Sequence, residues 1–467
     1  MVQTSLPARI GLVLAALFAL LLATIGSGPV AAVGFTVNTT VDAVDAVPGD
    51  GSCATAAANC SLRAAIQEAN ALSGPDSISV PAGAYALSVA DGDGSVDLDV
   101  TASITLNGAG AGSTVFDGGG LDRVVDVQSS EAVFISNITV RNGNATSASG
   151  DGGGIRNVGG QLHLSSLAIE DNDAPDALIG GGGLYNTLGT VTIADSTVSG
   201  NTAAGASAGG GGIANEAGTV ALTNVTLSGN SAPMGGAIYN TDSAAIEGSV
   251  TGNNVTIAAN TSANGALFTE GGSVTIRNTI VGTNTGTNCA TGAGGTFFST
   301  GHNISSDNSC PATAEGDLAS TDPQLGPLAD NGGSTQTHAL MPASPAIDAG
   351  DDTGCSGTDQ RGIDRPQGAH CDIGAFELEQ QLVQGDIDCS EAVDSVDALK
   401  VLRFSAGLSI AQTEPCPDPP SVVAAFPFSD VDCNGAVNSV DALKILRSAA
   451  GLGVTQMDPC TDIGLPL

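Results

Sequence analysis

The chain has no tryptophan, three tyrosines and only 12 cationic side chains against 48 carboxylates; its lysines are two, Lys400 and Lys444. A net charge of −36 over 467 residues excludes an electrostatic grip on nucleic acid or anionic lipid, because both need clustered Lys and Arg. With only Tyr85, Tyr185 and Tyr239 and no Trp, platforms for stacking sugar rings are scarce. Histidine is limited to His163, His302, His338 and His370, none at His-x3-His spacing, and no Cys-x2-Cys occurs. That removes zinc as the use of the ten cysteines and leaves disulfides, the usual fate of cysteine outside the cytosol. Pairing by proximity gives Cys53 with Cys60, Cys289 with Cys310, Cys355 with Cys371, Cys389 with Cys416 and Cys433 with Cys460.

Past the N-terminus no segment is apolar for long enough to cross a membrane. Residues 1–32 read as an export signal: Arg9 precedes the 16-residue run "IGLVLAALFALLLATI", short of the roughly 20 residues of a membrane span, and small residues near Ala32 suit cleavage. A retained N-terminal anchor is the competing reading. An extracellular or cell-surface location follows from either.

What the chain does have is glycine, 65 residues of it, and repetition. Only 13% of residues are charged, so the chain is too aliphatic for disorder, and it is too long for one compact globule. The segments "GGGIRN", "GGGLYN", "GGGIAN" and "GGAIYN" place Ile155, Leu184, Ile213 and Ile238 at intervals of 29, 29 and 25. Alternating strands follow each one, such as "TVTIADSTVSGN", and Asn172, Asn201, Asn230 and Asn260 recur at 29, 29 and 30. A period of 20 to 30 residues made of short β-branched strands and Gly/Asn turns predicts a β-solenoid, in which each coil buries its apolar face only by stacking on the next. A propeller needs blades of about 40 residues. The pattern over roughly 100–300 resembles the right-handed parallel β-helix of pectate-lyase-like and surface-protein families, which implies a fold and names no chemistry.

Both ends carry further resemblances. "CSLRAAIQEANAL" (60–72) is an amphipathic helix with Leu62, Ala65, Ile66 and Ala69 on one face. With its flanks it is similar to the N-terminal region of CSLREA-type bacterial surface proteins, and it is expected to cap the solenoid. The stretch 322–377, with "DQRGIDRPQGAHCDIGAFE", resembles the terminal region of choice-of-anchor surface proteins, and its arginines and aspartates are expected to form a buried charge network. The resulting division is 1–32 signal, 33–100 N-terminal cap, 101–380 β-helix with its C-terminal cap, and 381–467 a small helical calcium-binding repeat pair.

That last region holds the two lysines. "DIDCSEAVDSVDALKVLR" and "DVDCNGAVNSVDALKILR" start 44 residues apart at Asp386 and Asp430. In the second, Asp430, Asp432, Asn434, Asn438 and Asp441 stand at loop positions 1, 3, 5, 9 and 12, Gly435 is at 6, and Ala436 at 7 can offer its carbonyl. A hard cation taking six to eight oxygens needs this spacing, with glycine at the sharp turn, and calcium is the ion expected. The first loop supplies Asp386, Asp388, Ser390, Asp394 and Asp397, with the carbonyl of Ala392, but has Glu391 in place of the glycine, a cost on the order of 1 kcal/mol. Position 12 is Asp where an ordinary EF-hand has Glu, and one helix follows each loop. This duplication resembles the type I dockerin module, which implies calcium-dependent folding and docking to a cohesin-like partner. The recognition positions carried over are Ser395 and Val396, with Ser439 and Val440. The pairs Cys389 with Cys416 and Cys433 with Cys460, and the Pro-rich linker from Thr413 to Ser429, depart from that pattern.

Enzymatic residues are harder to find. A lyase needs a base and a cation for the uronate carboxylate, and 100–300 offers only Arg123, Arg141, Arg156 and Arg277. A hydrolase needs two carboxylates about 5 to 9.5 Å apart, for which Glu170, Asp171 and Asp195 are the candidates. The expected role is therefore binding or adhesion with a calcium-dependent docking module; the alternative is a polysaccharide-degrading enzyme, a glycoside hydrolase or lyase, delivered by that module. No catalytic residue is assigned.

Overall fold

The computed structural model describes residues 32–465 apart from 91, 93, 147–149, 206, 244–245, 380–382, 389, 391, 409, 411–421, 424–425, 428 and 455–459. The expected export signal, Glu391 and most of the Pro-rich linker lie outside the described residues. Among the described residues no helix is long and apolar enough to cross a membrane.

The chain forms a parallel β-solenoid whose coils stack in three faces, all joined in one hydrogen-bonded sheet system. The first face begins at Leu98–Val100 and runs through Val125–Val127, Ile155–Val158, Leu184–Thr187, Ile213–Glu216 and Ile238–Thr241. The expected repeat phase sets its register: Ile155 pairs with Leu184, Leu184 with Ile213, and Ile213 with Ile238. All four side chains are buried in one core with the inward rows of the other faces. The second face contains Ile104–Gly108, Ala132–Ser136, Gln161–Ser165 and the first halves of Thr190–Ser199 and Thr219–Ser228. The third contains Thr114–Asp117, Thr139–Arg141 and Ala168–Glu170, continued by the second halves of those long strands. Strands from Gly34–Thr36 onward already pair with later coils, so the solenoid reaches back into the 33–100 region.

Asparagine builds the corners twice over. Asn172 donates through Nδ2 to Asn201 at 2.9 Å, Asn201 to Asn230 at 3.0 Å and Asn230 to Asn260 at 2.9 Å, so the recurring asparagines form a buried ladder along the solenoid axis. A second ladder was not expected: Asn157 donates to Asn186, Asn186 to Asn215 and Asn215 to Asn240, each at 2.8 Å, and these are the sixth residues of the Gly-rich segments. Along each ladder the interior amides find their partners in the equivalent asparagines of neighbouring coils, which removes the cost of burying them unpaired. Asn137, Asn224 and Asn254 are corner residues with φ of 60°, 53° and 54°, the last two at bends within the long strands Thr219–Ser228 and Ser249–Ala258. Asparagine tolerates that left-handed geometry better than most side chains.

The helix α1, Leu62–Ala71, closes the N-terminal end as expected: Ser61 caps it by accepting from Ala64 N, and Leu62, Ala65, Ile66 and Ala69 join the solenoid core. Arg63 is a structural residue, buried and bonded through Nε to Asp42 at 2.9 Å and through Nη1 to the carbonyl of Asp97 at 2.6 Å.

The segment 322–377 does more than finish the last coil. It runs along the third face, with Thr197 donating to Gln336 O, Thr226 to Gln360 Oε1 at 2.7 Å, and Ala375 N to Thr256 Oγ1 at 2.9 Å. The charges around Asp359 and Asp372 are internal, as expected: Arg361 pairs with Asp359 at 2.8 Å and lies 3.7 Å over the Phe376 ring, while Arg365 and Glu377 pair at 3.1 Å in full burial; Asp364, expected in the same network, is exposed.

Of the five expected disulfides, four are formed among the described residues: Cys53 to Cys60, Cys289 to Cys310, Cys355 to Cys371 and Cys433 to Cys460. The fifth is not among them. Cys416 lies outside the described residues, and so does Cys389, so the expectation that Cys416 closes a loop with Cys389 is not met by any observed bond. The support for it is the symmetry of the two repeats, since Cys433 and Cys460 make the equivalent bond across the same separation of 27 residues.

Candidate metal centre in the C-terminal repeats

Each repeat folds as an acidic loop entering a helix: α2, Ser395–Ser405, after the first and α3, Ser439–Ala449, after the second. Both start alike. Asp394 and Asn438 are the N-caps, accepting from Val396 N and Val440 N, and the position-12 residues Asp397 and Asp441 complete capping boxes by accepting from the cap N–H. The two units pack through matched apolar residues: Ile387, Ala398 and Val401 from one meet Val431, Ala442 and Ile445 from the other, with Val393 and Val437 alongside.

The loops bring carboxylates together at three of the expected positions. One oxygen each from Asp386, Asp388 and Asp397 lie within 4.8 Å of one another, and so do oxygens of Asp430, Asp432 and Asp441. In the second loop Gly435 adopts φ 87° and its N–H binds Asp430 Oδ2 at 2.8 Å, which folds the turn over the first ligand. The remaining expected ligands do other things. Asp394 and Asn438 are occupied as caps, Asn438 Nδ2 donates to the carbonyl of Ala436 at 2.8 Å, and Ser390 Oγ donates to the carbonyl of Ala392 at 3.3 Å. Asn434 lies at the rim, its N–H bound to Asp430 Oδ1 at 3.2 Å.

Electrostatics at both sites is that of a cage short of positive charge. Burial, with the neighbouring carboxylates against it, pushes Asp397 and Asp441 up to about 6 despite the backbone N–H groups they accept. Asp388 Oδ1 is buried with no hydrogen-bond partner. Asp397 accepts from Ile387, Asp388 and Asp394 N–H at 2.6, 3.1 and 2.7 Å, and because a carboxylate has about four acceptor positions, one remains for an ion. The matched lysines sit at the rims: Lys400 Nζ is 4.0 Å from Asp388 and Lys444 Nζ 4.0 Å from Asp432. Their shared place in the repeat thus answers to the position-3 aspartate. The donor set, hard oxygens with an unpartnered buried one among them, fits calcium and offers nothing to a soft metal.

A third acidic group, Asp97, Asp99 and Asp126, is geometrically as tight but is filled from within the chain. Arg123 reaches Asp97 at 3.3 Å, and Arg156 binds Asp126 at 2.5 Å. The candidate hydrolase carboxylates Glu170 and Asp195 do not stand opposite each other. Glu170 stands level with Ser199 on the third face, four residues beyond Asp195, so strand rise alone separates their backbone stations by about 13 Å. Asp195 is a corner residue accepting from Asn224 at 3.0 Å, and Asp171 is likewise a corner, at φ 53°. On the first face, phenol–carboxylate pairs escaped the sequence reading: Tyr185 Oη donates to Glu216, and Tyr239 Oη, two coils further on, to Glu270. The signal was the shared Tyr of "GGGLYN" and "GGAIYN".

No family model matches the chain, and no curated protein matches it. Among solved structures it is similar to pectate lyase Pel9A, with 14% identity over 75% of this chain and 98% of that one at a TM-score of 0.36. It is similar also to the A-module of the mannuronan C-5 epimerase AlgE4 of Azotobacter vinelandii, with 16% identity over 58% and 77% of the two chains at a TM-score of 0.32. At these values the likeness carries no chemistry across, and the fold stands on its own register.

Proposed function

We propose that the chain is an exported β-solenoid protein whose C-terminal repeat pair binds two calcium ions and docks a partner protein. The observation that carries the reading is the recurrence of one three-carboxylate cage at identical loop positions in both repeats, each against the first turn of a helix. Calcium would be held by Asp386, Asp388 and Asp397 in one cage and Asp430, Asp432 and Asp441 in the other, with Ser390, Asn434 and the carbonyls of Ala392 and Ala436 close enough in sequence to complete the shells. The ion supplies the charge that lets these buried acids stay ionised, so binding and folding of the pair are coupled. The partner surface is the matched exposed edge of the two helices: Ser395, Val396 and Leu399 on α2 repeat as Ser439, Val440 and Leu443 on α3. Calorimetric titration of the full chain with calcium tests this, with two ions expected; no heat of binding at millimolar calcium, a range that covers even weak extracellular sites, refutes it.

A second reading, action on polysaccharide, is favoured by one feature of the solenoid. The first face presents Glu216 and Glu270 bonded to buried phenols that burial and those carboxylates hold well above the ordinary tyrosine range, which makes Tyr185 and Tyr239 proton donors rather than bases. Release of reducing ends or unsaturated uronates from a glycan panel would establish it, and loss of that release in Glu216→Gln and Glu270→Gln would place it on this face.

A further inference from the structure

The three outward faces of the solenoid differ in charge. Asp126, Arg156 and Glu216 project from the first, and Asp117, Arg141 and Glu170 from the third, which is also covered by the 322–377 segment. The second face carries none. Along its strands every outward position from Ser77 to Thr275 is uncharged, and the first ion is Arg277, held by Asp351. In a chain with 48 carboxylates, a surface this long without one is a property of the face rather than of the composition.

The outward residues stack in register. Thr105, Phe134, His163, Thr192, Ala221 and Thr251 occupy equivalent places in successive coils. Phe134 is 44% exposed, and its ring lies almost parallel to that of His163, centroids 4.6 Å apart. His163 Nδ1 is bonded to Thr192 Oγ1 at 2.8 Å, which fixes the imidazole plane over the phenyl ring. Thr105, Phe134, His163 and Thr192, with Ser136 and Ser165 beside them, line a groove of about 460 Å³.

We infer that this face is a docking surface for a neutral polysaccharide. Hydroxyls stand on adjacent coils in the flanking rows of this face, Thr190, Thr219, Ser249 and Ser273 in one and Ser136 with Ser165 in the other, at the strand spacing of about 4.8 Å, and act as both donors and acceptors, which matches a ligand that is itself a row of hydroxyls. The exposed aromatic pair offers the flat apolar contact that the C–H face of a sugar ring needs. Charge decides against the other polymers: a body at −36 repels polyuronates and nucleic acids, and the face has no cation to hold them. A second copy of the chain is disfavoured because the face, with its flanking rows of Thr and Ser, is too polar to drive burial against itself.

The inference does not depend on the calcium reading, and the test separates the two. The full chain is mixed with microcrystalline cellulose, with insoluble mannan and with a polygalacturonate gel, each with calcium and with chelator, and its depletion from solution is measured. The expected result is retention on a neutral polymer, unchanged by chelator, with none on polygalacturonate. Phe134→Ala and Thr192→Glu, both at solvent-side positions, should each cut retention several-fold while leaving the melting temperature unchanged. Failure to bind either neutral polymer overturns the proposal. So does retention that both substitutions leave intact, or a concentration-dependent mass that Thr192→Glu abolishes, which would make the face a contact between copies.

Discussion

The solenoid and the C-terminal pair are both built by repetition, but what they bury is different. In the solenoid the repeated inward residue is apolar, Ile155, Leu184, Ile213 and Ile238 in line, and the repeated polar residue is an asparagine whose partner is its own equivalent one coil away. Such a stack is complete without any outside group. In the pair, six small or medium apolar side chains form the buried core, and the repeated inward polar residues are Asp397 and Asp441, whose equivalents serve separate cages. An asparagine ladder closes on itself because an amide both donates and accepts, whereas a carboxylate cage only accepts and is completed by a proton or a cation. The same device of duplication thus gives a self-sufficient body and an appendage that, on the calcium reading proposed above, needs an ion to complete it.

The comparison breaks most visibly in the core of the body. Ile213→Asp places an unpaired charge between Leu184 and Ile238 and is expected to destabilise the solenoid by about 3 to 5 kcal/mol, with a large fall in melting temperature. An unchanged melt would refute the register. Removing a cage carboxylate should act on the appendage alone: Asp441→Ala is expected to lower the calcium count of the full chain from two to one, weakening that site about tenfold or more, while the melting of the solenoid stays where it was. Titration calorimetry and a melting curve on the same sample read both halves.

A smaller effect sharpens the contrast from within the body. Asp372, buried beside Glu377 in the segment along the third face, is pushed up to about 7 by burial and by that neighbour, against the N–H groups of Asp348 and Leu378 that it accepts. A carboxylate raised in the fold adds stability that is fully present below its unfolded value of about 4 and is lost as pH rises through 7. Thermal melting should therefore fall between pH 5 and pH 8, and the slope should shrink in Asp372→Asn; a flat profile in the parent would show that the acid is not linked to folding. Smallest of all, Lys444→Met takes away the rim cation 4.0 Å from Asp432 and should tighten calcium a few-fold, as expected for a partly exposed pair worth under about 1 kcal/mol. Weaker binding in that variant would mean that the lysine organises the loop instead of competing with the ion.

Much of the body was legible because a periodic core leaves a periodic sequence. The coil phase, the capping helix, the ladder of Asn172, Asn201, Asn230 and Asn260, and three disulfides follow from spacing alone, as does Cys433 with Cys460 in the pair. Cys416 is the exception among the cysteines: its pairing with Cys389 rests on the repeat symmetry and not on an observed bond, because both lie outside the described residues. The second ladder was visible in the same motifs, in the asparagine that ends each Gly-rich segment, but a single asparagine per coil already accounts for the period. Glu170 and Asp195 misled because adjacency in repeats fixes neither which face a residue occupies nor how far along the strand it sits.

The sequence by itself determined whatever depends on neighbours within one repeat: the strand period, the capping boxes at Asp394 and Asn438, and the order of oxygens in the two loops. Only the tertiary structure decided what depends on residues far apart in the chain. Thr226 meets Gln360 across 134 positions to cover the third face, Arg156 rather than a metal fills the group around Asp126, and the uncharged second face is left open. Contacts within a repeat recur in every copy and so print a period into the sequence, while a contact made once between distant segments leaves no pattern to read.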